Sequence, residues 1–409
     1  MSSSALLPLL YAPTTVEADE VAWLRYLWLP VYGATVLLCA WQWRKVVAAA
    51  AAFAPAACLL IFAGLSVCWS VAPSVTLRRF EALAFNDLMA LYLACRFGWR
   101  DLMRIVASAF LVLALGSYVM CLGFPSLGVH QTINAGDWRG LWNEKNELGF
   151  LMVIGTMASL ACAFIDARLR ALWIGAALAC LGLVIMARSG TSFLCLLAGG
   201  GAAIGLQASR RRPVLGVAVA FLAGCLVVAL AVIALIDLPI FFTLLGKDPT
   251  LTGRTGVWTA VLRRIAERPL LGYGYGAFWH DRFGPAMLIR RETHWEVPSA
   301  HNGWLEIVLQ LGEAGAALAG LYFTITVGAV LRRLLTRGDG FWGVMYVGAF
   351  LVLSLSESVI LRQNSLEWIL FVATSTKVAL DLRAPRRARS PAPRLAVVPR
   401  AEGRRPSLS

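Results

Sequence analysis

Runs of apolar residues recur along this 409-residue chain, and many continue for the roughly 20 positions that a helix needs to cross hydrocarbon. Lipid offers no water to satisfy backbone N–H and C=O groups, so such a segment must be helical or part of a closed barrel. The runs are too long, and alternate too little, for barrel strands. Composition agrees, with 59% of residues hydrophobic and 15% charged; soluble domains run at about 45–50% and about 25%. The fold class that follows is all-α: a polytopic integral membrane protein.

The runs place about eleven spans, at roughly 22–41, 46–69, 77–96, 102–124, 147–165, 169–187, 190–208, 213–237, 303–331, 341–359 and 365–382. If a segment near residues 5–15 also enters, the count is about twelve and only the N-terminus changes side. Short connections rich in Lys and Arg set the orientation. Arg44 and Lys45, Arg96/Arg100/Arg104, Arg168/Arg170, Arg210–Arg212 and Arg332/Arg333/Arg337 share one side if the spans simply alternate, and that side is cytoplasmic. The acidic N-terminus, the loops 70–77 and 125–146 and a long polar segment then lie outside. The chain thus divides into an N-terminal transmembrane bundle (1–237), an outer, partly helical loop carrying the site (238–302), C-terminal transmembrane helices (303–382) and a tail (383–409). The tail, rich in Arg and Pro, reads as disordered, cytoplasmic and able to touch anionic lipid.

The net charge of +14 is not a nucleic-acid signature, because the basic residues lie between apolar runs and in the tail and form no single face. All nine cysteines lie in or beside apolar segments, which gives neither a disulfide framework nor a paired-cysteine metal site. Ala5–Leu10 is too short an apolar core, and lacks the basic flank, for a signal peptide. No HExxH or carboxylate-cluster metal motif, P-loop or GxSxG elbow appears. We therefore expect no metal and no cofactor, and a substrate that carries its own activation.

The polar segment 250–305 is where a chain this apolar can handle something polar. A helix is expected over about 255–267, ended by Pro269, with Val257, Trp258, Val261, Leu262 and Ile265 as its apolar stripe. Arg263, Arg264 and Glu267 then fall on its solvated face. Arg254 sits at its N-terminus, where free backbone N–H groups already favour an anion and a guanidinium can hold two phosphate oxygens. LGYGYGAFW (271–279) is not a dinucleotide fingerprint. Its glycines suit an irregular loop; its aromatics, Tyr273 among them, with Trp295 and Trp304, could equally stack on sugar rings.

His301 directly precedes the ninth span, and two readings fit it: a cap, or a base suited to neutral pH. Asn302, Glu306, Gln310 and Glu313 continue at helical spacing as a polar stripe, which should face a cavity or partner residues because polar groups in lipid are costly. Glu357, Arg362, Gln363 and Asn364 cluster at the outer end of the tenth span. Arg188, in a short outer turn, either snorkels at the interface or points at an anion. Lys145 and Asn146 open the fifth span, with Asp137, Arg139 and Glu144 just outside: an ordinary charged cap, or a second basic wall on the same outer cavity.

In this order, RGLWNEKNELG (139–149), ARSGTSF (187–193), LTGRTGVW with ERPLLGYGYGAFW (251–279) and AHNGWLEIVLQLGEAG (300–315) resemble the bacterial O-antigen ligase and polymerase superfamily over nearly the whole chain. DWRGLWNEKN and SESVILRQNSLEWILF (356–371) look closest to exopolysaccharide polymerases. The resemblance implies an integral-membrane glycosyltransferase of the bacterial inner membrane whose site faces the periplasm. Its substrate would be an undecaprenyl-diphosphate-linked oligosaccharide; its acceptor, a second lipid-linked repeat unit or lipid A-core. By the same resemblance, Arg188 and Arg254 hold the lipid diphosphate and His301 lies beside the acceptor hydroxyl. Lys145, Asn146, Arg139, Asn302, Glu306 and Tyr273 are the further substrate-binding candidates. A chain-length regulator is a possible protein partner. A transporter of the same glycans is the competing class; it would show pseudo-repeated halves and mid-membrane charges. No repeat is visible, and only Glu81 and Asp87 break the outer clustering of ionisable residues.

Overall fold

The computed structural model describes residues 26–132, 134–211, 254–280, 284–337 and 341–384. The expected span 213–237, the start of the outer loop, the N-terminus and the tail from 385 lie outside the described residues. Among the described residues every extended element is a helix, and one isolated bridge joins Val129 to Trp138. The helices are α1 (Leu29–Trp41), α2 (Trp43–Leu65), α3 (Pro73–Arg96), α4 (Trp99–Gly123), α5 (Lys145–Ile165), α6 (Arg170–Met186), α7 (Gly190–Arg211), α8 (Arg254–Glu267), α9 (Ala286–Thr293), α10 (Gly303–Arg337), α11 (Phe341–Ser354) and α12 (Leu366–Arg383). A one-turn helix (Pro125–Gly128) follows α4.

Five segments are long and apolar enough to cross a membrane: Trp43–Cys68, Trp99–Gly123, Lys145–Ile165, Ala167–Met186 and Gly303–Thr336. Three shorter apolar helices accompany them, Tyr26–Trp41, Gly190–Gly201 and Phe341–Ser354. The chain is a polytopic, multi-pass membrane protein.

Helices α3 and α12 carry too many charges to pass on composition, and their packing explains why the bundle tolerates them. They lie against each other, with α3 also against α2 and α1, and α12 against α2 and α10. Trp368 donates its indole N–H to buried Asp87 at 2.9 Å. Lys377 reaches the Ala94 carbonyl at 3.5 Å and lies over the Trp99 ring. Asp381 accepts from Trp99 at 2.6 Å and from Arg333. Asp87, Lys377 and Asp381 thus face protein, which is where such groups are affordable in a membrane, whereas Arg78 and Glu81 of α3 are exposed.

At the other side of the bundle, α5 is enclosed by α4, α6, α7 and α11. All twelve residues from Leu148 to Ser159 are buried, so α5 is apolar on every face, as a central helix must be.

The helix ends sort into two poles. One gathers Arg104 and Arg100 on Asp166, and Arg333 and Trp99 on Asp381. The other gathers the N-termini of α3, α5, α7 and α10 with the C-termini of α2, α6 and α11; the described part of the polar loop, with α8 and α9, docks there. That loop has a small core of its own, including Val257, Val261, Phe278, Trp279, Ile289 and Val297. Of the expected α8 stripe, Leu262 is the exception and is exposed.

One expected element is corrected. The ninth span is not a single helix: the backbone breaks at Gly312, with φ 67° and ψ −170°. Glycines make the break possible. A Cβ on Gly312 would stand 2.2 Å from the Leu270 carbonyl carbon, and one on Gly272 2.6 Å from that of Gln310. The loop backbone fills the gap in the helix ladder. Tyr273 N–H bonds to the Leu309 carbonyl at 3.0 Å and Gly274 N–H to that of Gln310 at 2.8 Å, while Glu313 N–H bonds to the Pro269 carbonyl at 2.8 Å. The Gly-rich loop is thus a splint across a broken helix, so the irregular-loop reading of 271–276 holds. Of the polar stripe, Glu306 and Gln310 belong to the short piece before the break.

Candidate functional site

Glu357 is the centre of the site pole. It lies in the connection between α11 and α12, its N–H tied to the Leu353 carbonyl at the end of α11 (2.9 Å). Three other elements bring a donor to its carboxylate. Arg254, first residue of α8, gives Nη2 to Oε1 at 2.9 Å and Nη1 to the Ser356 carbonyl at 2.6 Å. Asn146, second residue of α5, gives Nδ2 to Oε1 at 3.3 Å. His301, before α10, meets Oε2 through Nδ1 at 3.3 Å.

Burial alone would push the Glu357 carboxyl up, but the His301 hydrogen bond and charge, with Arg254, outweigh it and hold it at about 2. It is therefore an anion across the physiological range. In the neutral imidazole the facing carboxylate selects the tautomer with the proton on Nδ1, which leaves Nε2 with its lone pair. Nε2 is buried and has no hydrogen-bond partner among the described residues.

The backbone at His301 is held in place as firmly as its ring. It adopts φ 48°, an uncommon conformation for a side chain of this size. On one side, buried Glu306 accepts from the Ala300 N–H (2.8 Å), Trp279 Nε1 (2.8 Å), Gln310 Nε2 (2.6 Å) and Ser358 Oγ (3.2 Å). Trp258 on α8 also donates to the Ala300 carbonyl at 2.9 Å. On the other side, Asn302 Oδ1 accepts from the N–H groups of Trp304 and Leu305 at 3.0 and 3.1 Å, an N-cap for α10. Trp295 stacks on the imidazole, ring centres 5.4 Å apart and planes 8° apart.

A second cluster continues from the first. Lys145, next to Asn146, gives Nζ to Asp137 at 2.6 Å and to Asn134 at 2.9 Å. Arg188 approaches Asp137 at 3.6 Å, with its side chain 70% exposed. Its turn leads into α7, where Cys195 is already within electrostatic reach of Glu357. Glu144, at the entrance to α5, is within reach of His301, Glu357, Arg139 and Lys145 together.

The expected residues thus divide. Arg254, His301 and Asn146 share one carboxylate, and Lys145 and Arg188 share the adjoining one. Asn302 and Glu306 are engaged in holding the His301 segment. Arg139 gives Nε to the Leu127 carbonyl at 2.9 Å and braces its own loop. Tyr273 corrects the expectation of a sugar platform: its ring is buried and its hydroxyl donates to Glu267 at 2.6 Å. Sequence reasoning placed Glu357 in a polar cluster without a role. Its signal was a lone acid among Ser356, Arg362, Gln363 and Asn364 in the gap between two apolar runs.

Comparison with known proteins follows the same residues. Residues 174–320 match the family described as O-antigen ligase, a stretch that holds Arg188, Arg254 and His301. Over that stretch the chain is similar to the O-antigen ligase family. It is also similar to the exopolysaccharide production protein ExoQ of Rhizobium meliloti (strain 1021), 29% identical over 324 residues, covering 76% of this chain and 71% of that protein. Glu357, Lys145 and Asp137 lie outside the matched stretch, and only the fold brings them to it.

Proposed function

We propose that this protein is a membrane glycosyltransferase that polymerises oligosaccharide repeat units carried on undecaprenyl diphosphate, at the periplasmic face of a bacterial inner membrane. The observation that carries the reading is the Glu357 carboxylate joining His301 to Arg254. His301 Nε2, with Nδ1 held by Glu357, takes the proton of the acceptor hydroxyl as its oxygen attacks the anomeric carbon. Charge grows on the departing diphosphate, and Arg254 and Arg188 supply the counter-charge, with Lys145 beside them. Before the substrate arrives, Glu357 and Asp137 occupy those cations, so the diphosphate exchanges for carboxylates already in place. Attack opposite the leaving group inverts the anomeric centre. The Arg- and Lys-rich short connections, gathered at the far pole, support an outward-facing site.

The family description favours a second reading, transfer of the finished glycan to lipid A-core. One experiment separates the two: purified protein is given lipid-linked oligosaccharide with and without lipid A-core. Chain growth without core is the expected result. Product that forms only with core rejects the polymerase in favour of the ligase, and no product in either arm rejects both.

A further inference from the structure

His301 Nε2, the atom that must receive a proton, is sealed from solvent, although the imidazole as a whole is partly exposed. The cover over the ring face is Trp295. Its segment is anchored on both sides: Val297 and Ala300 are buried, and Thr293 Oγ1 reaches the Trp295 carbonyl at 3.5 Å. The indole itself stands 37% exposed at the tip of that anchored segment. Its contact with His301 is offset parallel stacking, a contact worth little compared with a buried core packing and easily exchanged for another flat apolar surface. The C–H face of a sugar ring is such a surface.

Resting on the transferase reading above, we propose that Trp295 is a shutter on the acceptor side of the site. With no acceptor present it keeps water from His301 Nε2. An acceptor sugar displaces it and stacks on it, which brings that sugar's hydroxyl to Nε2. The device answers a hazard of the chemistry. If water reached Nε2, its proton would pass to His301, its oxygen would bond to the anomeric carbon, and the bond to the diphosphate would break. The products would be free reducing oligosaccharide and undecaprenyl diphosphate, and the activated unit would be lost.

Two measurements test the shutter on the full-length protein in detergent. The first needs no substrate: mass spectrometry follows the rate at which diethyl pyrocarbonate modifies His301. Trp295→Ala should raise that rate at least about fivefold, and Trp295→Phe, which keeps a stacking face, should leave it near the wild type. Equal rates in all three proteins overturn the shutter whatever the enzyme does. The second supplies lipid-linked oligosaccharide and measures free reducing oligosaccharide against polymer. Trp295→Ala should raise that ratio about tenfold while Trp295→Phe does not, and His301→Gln should lower both products by about 10²–10⁴. An unchanged ratio in Trp295→Ala, with active wild type, overturns the shutter alone. Wild type that forms neither product overturns the transferase reading, and the modification rates then still decide whether Trp295 covers His301.

Discussion

At the residue scale, the proposed reaction makes the site a contest for charge between carboxylates of the chain and the diphosphate of the proposed substrate. Glu357 meets both the cation that would hold the leaving group and the imidazole that would take the proton. Replacing His301 by Gln should lower glycan transfer by about 10²–10⁴, the ordinary contribution of a general base, with protein level unchanged. Glu357→Gln should lower it at least about tenfold, because a neutral amide no longer fixes which imidazole nitrogen bears the proton. Polymer formed by the purified variants checks both, and full activity in Glu357→Gln would remove that carboxylate from the mechanism. The same group sets a pH dependence. Its folded value, about 2, lies below the ordinary 4.5, so the pairing stabilises fully above pH 4.5 and fades as the pH falls toward 2. The thermal midpoint in detergent, followed through that acid window, should fall less steeply in Glu357→Gln than in the wild type.

At the element scale, the break at Gly312 matters most, because it lets a short helical piece and a loop interlock under His301. Gly312→Ala must accept φ 67° and a contact of 2.2 Å with the Leu270 carbonyl carbon. The backbone conformation alone costs about 1–3 kcal/mol. Scanning fluorimetry should record a lower melting temperature and less monodisperse protein. Gly320→Ala, in the same helix with nothing within 4 Å of the new methyl, should melt no lower than the wild type. Equal melting of the two variants would show that the splint is dispensable. No sequence period announces this break: the apolar run continues through it, and Gly312 looks like any tolerated helical glycine. The partner is a loop some forty residues away in sequence, from Pro269 to Gly276, and only packing joins them.

At the scale of the whole molecule, alternating helices deliver one set of ends to Asp166 and Asp381 and the other to Glu357 and Asp137. If the basic pole is cytoplasmic, single cysteines placed at Arg291 and Arg168 should behave oppositely toward a membrane-impermeant thiol reagent. In intact spheroplasts Arg291→Cys should label, while Arg168→Cys should label only after permeabilisation, each site read by mass spectrometry. Labelling of both from outside would overturn the orientation.

The sequence by itself determined the membrane class, the placement of most helices and the polar stretch that holds the site, because hydrocarbon thickness and backbone satisfaction impose patterns that are local in the chain. It also marked Arg254, His301, Lys145 and Asn146 as polar residues at helix entrances. Tertiary structure alone decided that Glu357 joins three of these and that Tyr273 faces inward. It alone laid Trp295 over His301 and assigned α3 and α12, charged as they are, to the interior. Those outcomes depend on which ends meet across hundreds of residues, and a carboxylate does not carry in its own neighbourhood the identity of the cation it will pair with.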